Sequence, residues 1–265
     1  MIERITFDDY RALPGINWSQ LKHMATSPLR FQYEATHERT DTATFQLGRA
    51  IHCAVLEPDE FPLRYAVFTG DRRAGKPWEE FKAANADRDA ILKADEYRKC
   101  LEIRDAVYAH RVAGPLLSQG EVETTRQWTD EESGLLCKAR LDHVSSVSLT
   151  DLKSASSVEA RDFTNAIARY LYHGQLAHYL ESLEEPVPVR IIAVEKEPPY
   201  EVAVFLFPEW VIDAGRVLRR RLLSDLVRCQ ARDEWPCMYE SEQEVELPSW
   251  ADESDGAALG GGWDL

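Results

Sequence analysis

Apolar positions along this chain recur with two different periods, and the change of period divides it. From Thr44 to Leu56 the residues are good helix formers with an apolar surface and one embedded histidine, which predicts a helix. An earlier helix is predicted to begin at Asn17-Trp18-Ser19-Gln20-Leu21. Ser27-Pro28-Leu29 marks a break and a second start, because proline is tolerated in a first turn and not in a helix interior. Trp18, Leu21 and Phe31 are candidates for the core. Residues 57 to about 85 read as turn-rich and charged, and residues 87 to 112 as a helix whose extent is limited by Gly114-Pro115.

The period shortens to two at Glu121. The runs Glu121–Trp128, Leu135–Val144 and Val147–Lys153 are separated by Asp130-Glu131-Glu132-Ser133-Gly134 and by Ser145-Ser146, which predicts a three-strand meander. A small-residue loop, Ser154 to Val158, leads into a long helix from about Ala160 to Leu183. The runs Val187–Glu195 and Glu201–Phe207 are almost continuously apolar, as expected of strands buried on both faces at the centre of a sheet. A last helix covers about Glu209 to Arg232. The fold class is therefore α/β, a central mixed sheet flanked by helices. A single domain is expected over 1–235, helical over about 15–119 and mixed over about 120–232. The acidic, glycine-rich residues 236–265 are expected to be a disordered tail and a potential docking peptide.

Composition narrows the function classes. With 44% hydrophobic residues the chain can build a core, and no apolar run approaches the roughly 18 residues of a membrane span. The first residues lack a basic flank and an apolar signal core, so a cytoplasmic protein with no membrane partner is expected. The five cysteines, at 53, 100, 137, 229 and 237, include no Cys-x-x-Cys pair and read as buried thiols. A net charge of −15 argues against nucleic-acid binding. Against that, only eight of the 31 cations are lysines, and arginine is the better bidentate phosphate ligand. Arg216, Arg219, Arg220, Arg221 and Arg228 form either a solvated helix face or a phosphate track. The loop Asp71 to Trp78 is either a solvated connector or a DNA-facing loop, with Arg72 and Arg73 on phosphates and Trp78 stacked on a base.

Candidate chemistry gathers at Asp151-Leu152-Lys153. The two-residue period of a strand sets the carboxylate and the ammonium on one face, and the neighbouring strand brings Asp142 to the same sheet end. Two carboxylates, the Leu152 carbonyl and waters suit magnesium or manganese, and manganese also accepts the His52 imidazole. Such a site activates water and neutralises charge on a scissile phosphate, with Lys153 orienting the water. The plainer reading is a surface Asp–Lys ion pair worth at most about 1 kcal/mol. Glu80-Phe81-Lys82 repeats the pattern in a polar stretch, so the match alone is weak. His52 is either a satisfied core histidine or a ligand, and Gly48 leaves room beside it. Glu123 begins the first strand, from which it could reach the same sheet end. Gln175 and Tyr179 share a helix face.

Taken in order, Gly48-x-x-x-His52, Asp142, Asp151-x-Lys153 and Gln175-x-x-x-Tyr179 resemble the PD-(D/E)xK nuclease superfamily, in the branch that shares these motifs with the RecB nuclease domain. Residues 15 to 230 are similar to the nuclease domain of the exodeoxyribonuclease VIII (RecE) family, notably over Leu47–Pro58 and Val194–Tyr200. The resemblance implies a restriction-endonuclease-like core. It also implies a magnesium- or manganese-dependent exonuclease that degrades one strand of linear duplex DNA from its 5′ end, leaving a 3′ overhang for a single-strand annealing protein. His52, Asp142, Asp151 and the Leu152 carbonyl would be metal ligands and Lys153 the catalytic lysine. Gln175 and Tyr179 would line the site, with Glu123 as an additional carboxylate. Arg140 would join Arg72, Arg73 and Trp78 as a DNA contact. A homo-oligomeric ring around DNA is implied, and no iron–sulfur cluster, since the cysteines lack the flanking arrangement. An endonuclease or nickase on the same core and a non-catalytic DNA-end-binding module are the alternatives.

Overall fold

Residues 189 to 195 alternate between two cores, and that alternation fixes the middle of the molecule. Val189, Ile191 and Ala193 pack with Leu141, Leu149, Phe163, Leu176 and Ile212. Ile192 and Val194 face the other way, onto a core with Ile51, Val55, Cys100, Ile103 and Val107. A strand covered on both faces has no polar face to show, so its sequence is a continuous apolar run. A computed structural model of the chain describes residues 5–37, 42–70 and 72–247.

The chain begins with α1 (Phe7–Ala12), α2 (Trp18–Leu21), a 3-10 turn, α3 (Pro28–Thr36), α4 (Ala43–Leu56) and α5 (Phe61–Arg64). It continues through β1 (Tyr65–Phe68), α6 (Lys76–Ala84), β2 (Ala90–Lys93), α7 (Ala94–Ala109) and α8 (Ala113–Leu117). The remainder is β3 (Glu121–Thr129), β4 (Leu136–Ser145), β5 (Ser148–Ala155), α9 (Ala160–Arg169), α10 (Tyr172–Leu180), β6 (Val189–Glu195), β7 (Val202–Phe207) and α11 (Glu209–Arg232). The main sheet has the order β3-β4-β5-β6-β7, antiparallel except for the parallel pair β5 and β6. That parallel pair requires a crossover, and α9 with α10 supplies it. Helices α4 and α7 cover one face of the sheet; α10 and α11 cover the other. Trp18, Leu21 and Phe31 lie in a third core with Leu222, Leu223 and Leu226 of α11, which seats the N-terminal helices. Asn17 and Ser27 cap α2 and α3 through their side-chain oxygens, as N-cap residues do.

Six expectations are corrected. The segment 57–85 is not only turns, since it contains α5, β1 and α6, and residues 90–93 are a strand rather than helix because they pair in parallel with β1. Gly114 and Pro115 lie inside the short helix α8 instead of ending one. The single helix expected over 160–183 is two, broken at Leu171, whose φ of 58° is left-handed with no glycine or proline to announce it. β7 is an edge strand and mostly half-exposed, so only β6 fits the doubly buried reading. Cys237 is exposed while the other four cysteines are buried.

Helices α10 and α11 approach closely at Gly215, where an added Cβ would lie 2.2 Å from the His173 carbonyl oxygen. Among the described residues no helix is long and apolar enough to cross a membrane. Residues 236–247 are exposed and without regular elements, and the rest of the expected tail, with its proposed docking role, lies outside the described residues.

Candidate active site

The ladder between β4 and β5 stops at the pair His143 and Thr150. Beyond it the strands part, and the next residues on each side are Asp142 and Asp151. Parting strands leave backbone groups without ladder partners, and side chains take them over. The Leu152 amide donates to Asp142 Oδ2 at 2.8 Å. The Leu152 carbonyl acts on the His52 imidazole, holding its basicity up against burial. The fork is thus closed by a candidate ligand, Asp142, rather than by backbone.

Around it the other candidates converge. His52 Nδ1 is 3.6 Å from Asp142 Oδ2. One ligand atom each from His52, Glu123 and Asp142 lie within 4.8 Å of one another, which is ligand spacing for a cation. Lys153 Nζ sits 2.5 Å from Asp151 Oδ2 and 4.9 Å from the centre of the Tyr172 ring. The Gln175 side-chain amide donates to Asp151 Oδ1 at 3.0 Å and to the Tyr179 hydroxyl at 2.8 Å. Arg140 is ion-paired to Glu123 and donates to the Ile5 carbonyl at 3.1 Å. Glu123 holds a left-handed φ of 52° within an otherwise regular strand. A non-glycine residue there costs on the order of 1–3 kcal/mol, and such strain persists where surrounding contacts enforce it. Here the contact is the Arg140 pair.

Burial sets the electrostatics. It pushes the Asp142 carboxyl up to about 7, with Asp151 adding to the rise. Glu123 is raised by burial and then by Asp142. Burial works against the charge of Lys153, but Asp151 and Asp142 outweigh it and hold the ammonium above its ordinary range. His52 is lowered by burial, so its imidazole is neutral and able to ligate. The Asp151 Oδ2 atom is buried and has no hydrogen-bond partner of good geometry, although Lys153 is beside it. Crowded carboxylates with one neutral imidazole fit a hard divalent cation, which would relieve their mutual repulsion.

The site opens into a cleft of about 1780 Å³ whose lining includes His52, Glu123, Asp142, Tyr172 and Tyr179. Period two along β4 sends Lys138, Arg140 and Asp142 into it together. Lys138 Nζ donates to the carbonyls of Tyr10, Arg11 and Leu13 at 3.1, 3.2 and 2.5 Å, tying α1 across one end of the cleft. Arg72, Arg73 and Trp78 are not in the cleft lining. Arg73 donates to the Ile91 carbonyl at 2.6 Å and lies 5.4 Å over Trp78, which meets Phe68 edge-on. Arg219 is buried against Asp130, Arg216 and Arg228 pair with acids of their own helix, and Arg220 pairs with Glu132. Tyr172 and Lys138 were not marked by the sequence patterns. The one signal for Tyr172 is its place three residues before Gln175, on the same helix face.

No curated protein matches the chain. A solved structure described as a "Putative exonuclease" from Eubacterium rectale has the same fold: TM-score 0.65, 15% sequence identity, 97% of this chain and 99% of that chain covered. The family profile for the PDDEXK-like domain of unknown function DUF3799 matches residues 17–246. The fork of acidic residues at the end of a meander, backed by an Asp-x-Lys strand, is thus found in a chain that belongs to the DUF3799 family of PDDEXK-like domains.

Proposed function

We propose that this chain is a divalent-metal-dependent deoxyribonuclease, and within that class an exonuclease that removes one strand of linear duplex DNA from the 5′ end. The observation that carries the nuclease reading is the fork, where Asp142, Asp151 and Lys153 meet beside His52 and Glu123. Magnesium or manganese would be held by His52, Asp142 and Asp151 with Glu123 in reach. When bound, the metal supplies an activated water and charge neutralisation at the scissile phosphate. Lys153, held by Asp151 and the Tyr172 ring, puts a compact positive charge where the phosphate gains negative charge. Gln175 and Tyr179 hold the Asp151 carboxylate in one orientation. Removal of water from this half-buried site strengthens each of these interactions.

The 5′ polarity, the 3′ overhang, the annealing partner and a ring of copies around DNA are supported by the resemblance to the exodeoxyribonuclease VIII family across residues 15 to 230. Arg140 lies in the cleft with its charge shared by Glu123, so a contact to DNA is proposed for it only where a metal or strand draws Glu123 away. Digestion of a 5′-labelled linear duplex, its 3′-labelled twin and a closed circle, with magnesium or manganese, tests the proposal. Early release of 5′ label with the circle spared is expected. Cutting of the circle would make the chain an endonuclease, and no cleavage of any substrate would overturn the nuclease reading.

A further inference from the structure

We infer that the α4 wall of the cleft is a nucleobase subsite, in which Phe45 stacks on a base of an unpaired strand whose phosphate lies at the Asp142–Asp151 fork. This rests on the nuclease reading and goes beyond it, because it names the state of the DNA that the cleft accepts. Phe45 lines the cleft and is 55% exposed. A lone exposed aromatic is ordinary on a protein surface. This one is aligned with the site: Phe45, Gly48 and His52 are spaced i, i+3 and i+7 on one face of α4. Seven residues of helix span about 10 Å, or about three stacked nucleotides at ~3.4 Å each and fewer if the strand is stretched. Gly48 stands between them, and a Cβ added there would meet nothing within 4 Å, so the space from the ring to His52 is open.

A second aromatic approach runs from the α9–α10 corner. Tyr170 is 50% exposed and lines the same cleft, its ring 5.7 Å from that of Tyr172, which in turn carries Lys153.

The charges of the cleft point the same way. Among the described residues that line it, acidic side chains outnumber basic ones. Of the cations, Arg64 is held by Glu57 and Asp89, Lys138 by three carbonyls and Arg140 by Glu123. A duplex is gripped chiefly by free cations on its phosphates. A single strand is gripped in addition by base stacking, which is open to any sequence because every base has a π face. With an acidic lining, three of its cations already engaged and an exposed aromatic ring in line with the metal-ligand cluster, the cleft suits unpaired bases.

The test is binding of a short fluorescein-labelled single strand, followed by anisotropy with calcium present, for wild type, Phe45→Ala and Phe45→Trp. A second oligonucleotide carries abasic sites in place of its bases. Phe45→Ala is expected to weaken binding of the ordinary strand about tenfold or more, within the range of one base–aromatic stack, and Phe45→Trp to retain it. The abasic strand is expected to bind wild type and Phe45→Ala equally. Phe45 is exposed, so an unchanged thermal melt for Phe45→Ala separates loss of the subsite from loss of the fold. Equal binding of the ordinary strand by wild type and Phe45→Ala would overturn the subsite alone. Failure of wild type to bind the ordinary strand would also overturn the subsite, whereas the nuclease reading stands or falls on cleavage of the labelled duplexes and the circle.

Discussion

Gln175 and Asp151 are joined across two elements: the amide nitrogen of the first, on α10, donates to Oδ1 of the second, on β5, at 3.0 Å. The same nitrogen donates to the Tyr179 hydroxyl at 2.8 Å. The Gln-x-x-x-Tyr pair is therefore a support for the carboxylate. Replacing Gln175 by Leu removes the donor while keeping most of the volume. The expected outcome is a loss of 10- to 100-fold in activity or manganese affinity, the usual range for a group that orients a metal ligand. Tyr179→Phe, which leaves the Gln175–Asp151 bond in place, should lose less. Titration of manganese by calorimetry beside steady-state cleavage rates checks both, and wild-type affinity in Gln175→Leu would contradict the supporting role.

Lys153 is fixed on two sides, by Asp151 at 2.5 Å and by the Tyr172 ring at 4.9 Å. Lys153→Ala is expected to abolish cleavage while the protein still folds. Lys153→Arg is expected not to rescue it, because the planar fork of a guanidinium does not reproduce a compact ammonium in a closed space. Tyr172→Phe keeps the ring face and should remain active, and Tyr172→Leu should not. Cleavage rates for the four variants, with circular dichroism for the fold, decide this.

Much of this site could be read along the chain because its signals are local. Asp151 and Lys153 share a face through the period of a strand, and Gln175 and Tyr179 through a turn of helix. The position of Asp142 follows from the meander. What the sequence did not carry is the partnering that depends on long-range packing. Lys138 looks like any strand lysine, yet its ammonium is buried among α1 carbonyls more than a hundred residues away in the chain. Leu171 breaks a helix with no local breaker, since tertiary contacts override its propensity. The strands β1 and β2 are four residues each and pair only with one another, too short for a periodic signal.

A divalent metal should stabilise the protein, and more so at higher pH. Asp142 is raised to about 7 by burial and by Asp151. A carboxyl raised above its unfolded value near 4 binds its proton more tightly in the folded state. Without metal, the contribution of Asp142 to stability therefore declines as pH climbs from about 4 to about 7 and stays lowered above that. A cation at the fork favours the ionised form and removes the penalty. The expected result is a larger rise in Tm on adding manganese at pH 8 than at pH 5.5, and an Asp142→Asn variant with a much smaller metal-induced shift at either pH. Differential scanning calorimetry with and without chelator measures it.

Below neutrality a second group acts on the stability with the opposite sign. His178 is fully buried, with Nε2 against the Lys138 carbonyl at 3.2 Å and Nδ1 accepting from Arg219 at 3.3 Å; Arg219 in turn pairs with Asp130 at 2.6 Å. The network ties α10 and α11 to β4, the strand that carries Asp142. Burial first, and then the Arg219 charge, lowers His178 to about 3. The unfolded chain takes up this proton near pH 6.5, and the folded chain resists until about 3, so the contribution of His178 to stability falls as pH drops between those values. One such proton contributes a slope of about 1.4 kcal/mol per pH unit. His178→Asn keeps a donor and an acceptor at the position without the titration. It should be less stable than wild type at pH 8, from imperfect packing, yet lose less between pH 6 and pH 4. His52, His143 and His173 are also lowered by burial and leave a residual slope. Urea unfolding across this pH range measures the difference, and parallel curves for the two proteins would show that the buried Asp130–Arg219–His178 network does not govern the acid limb.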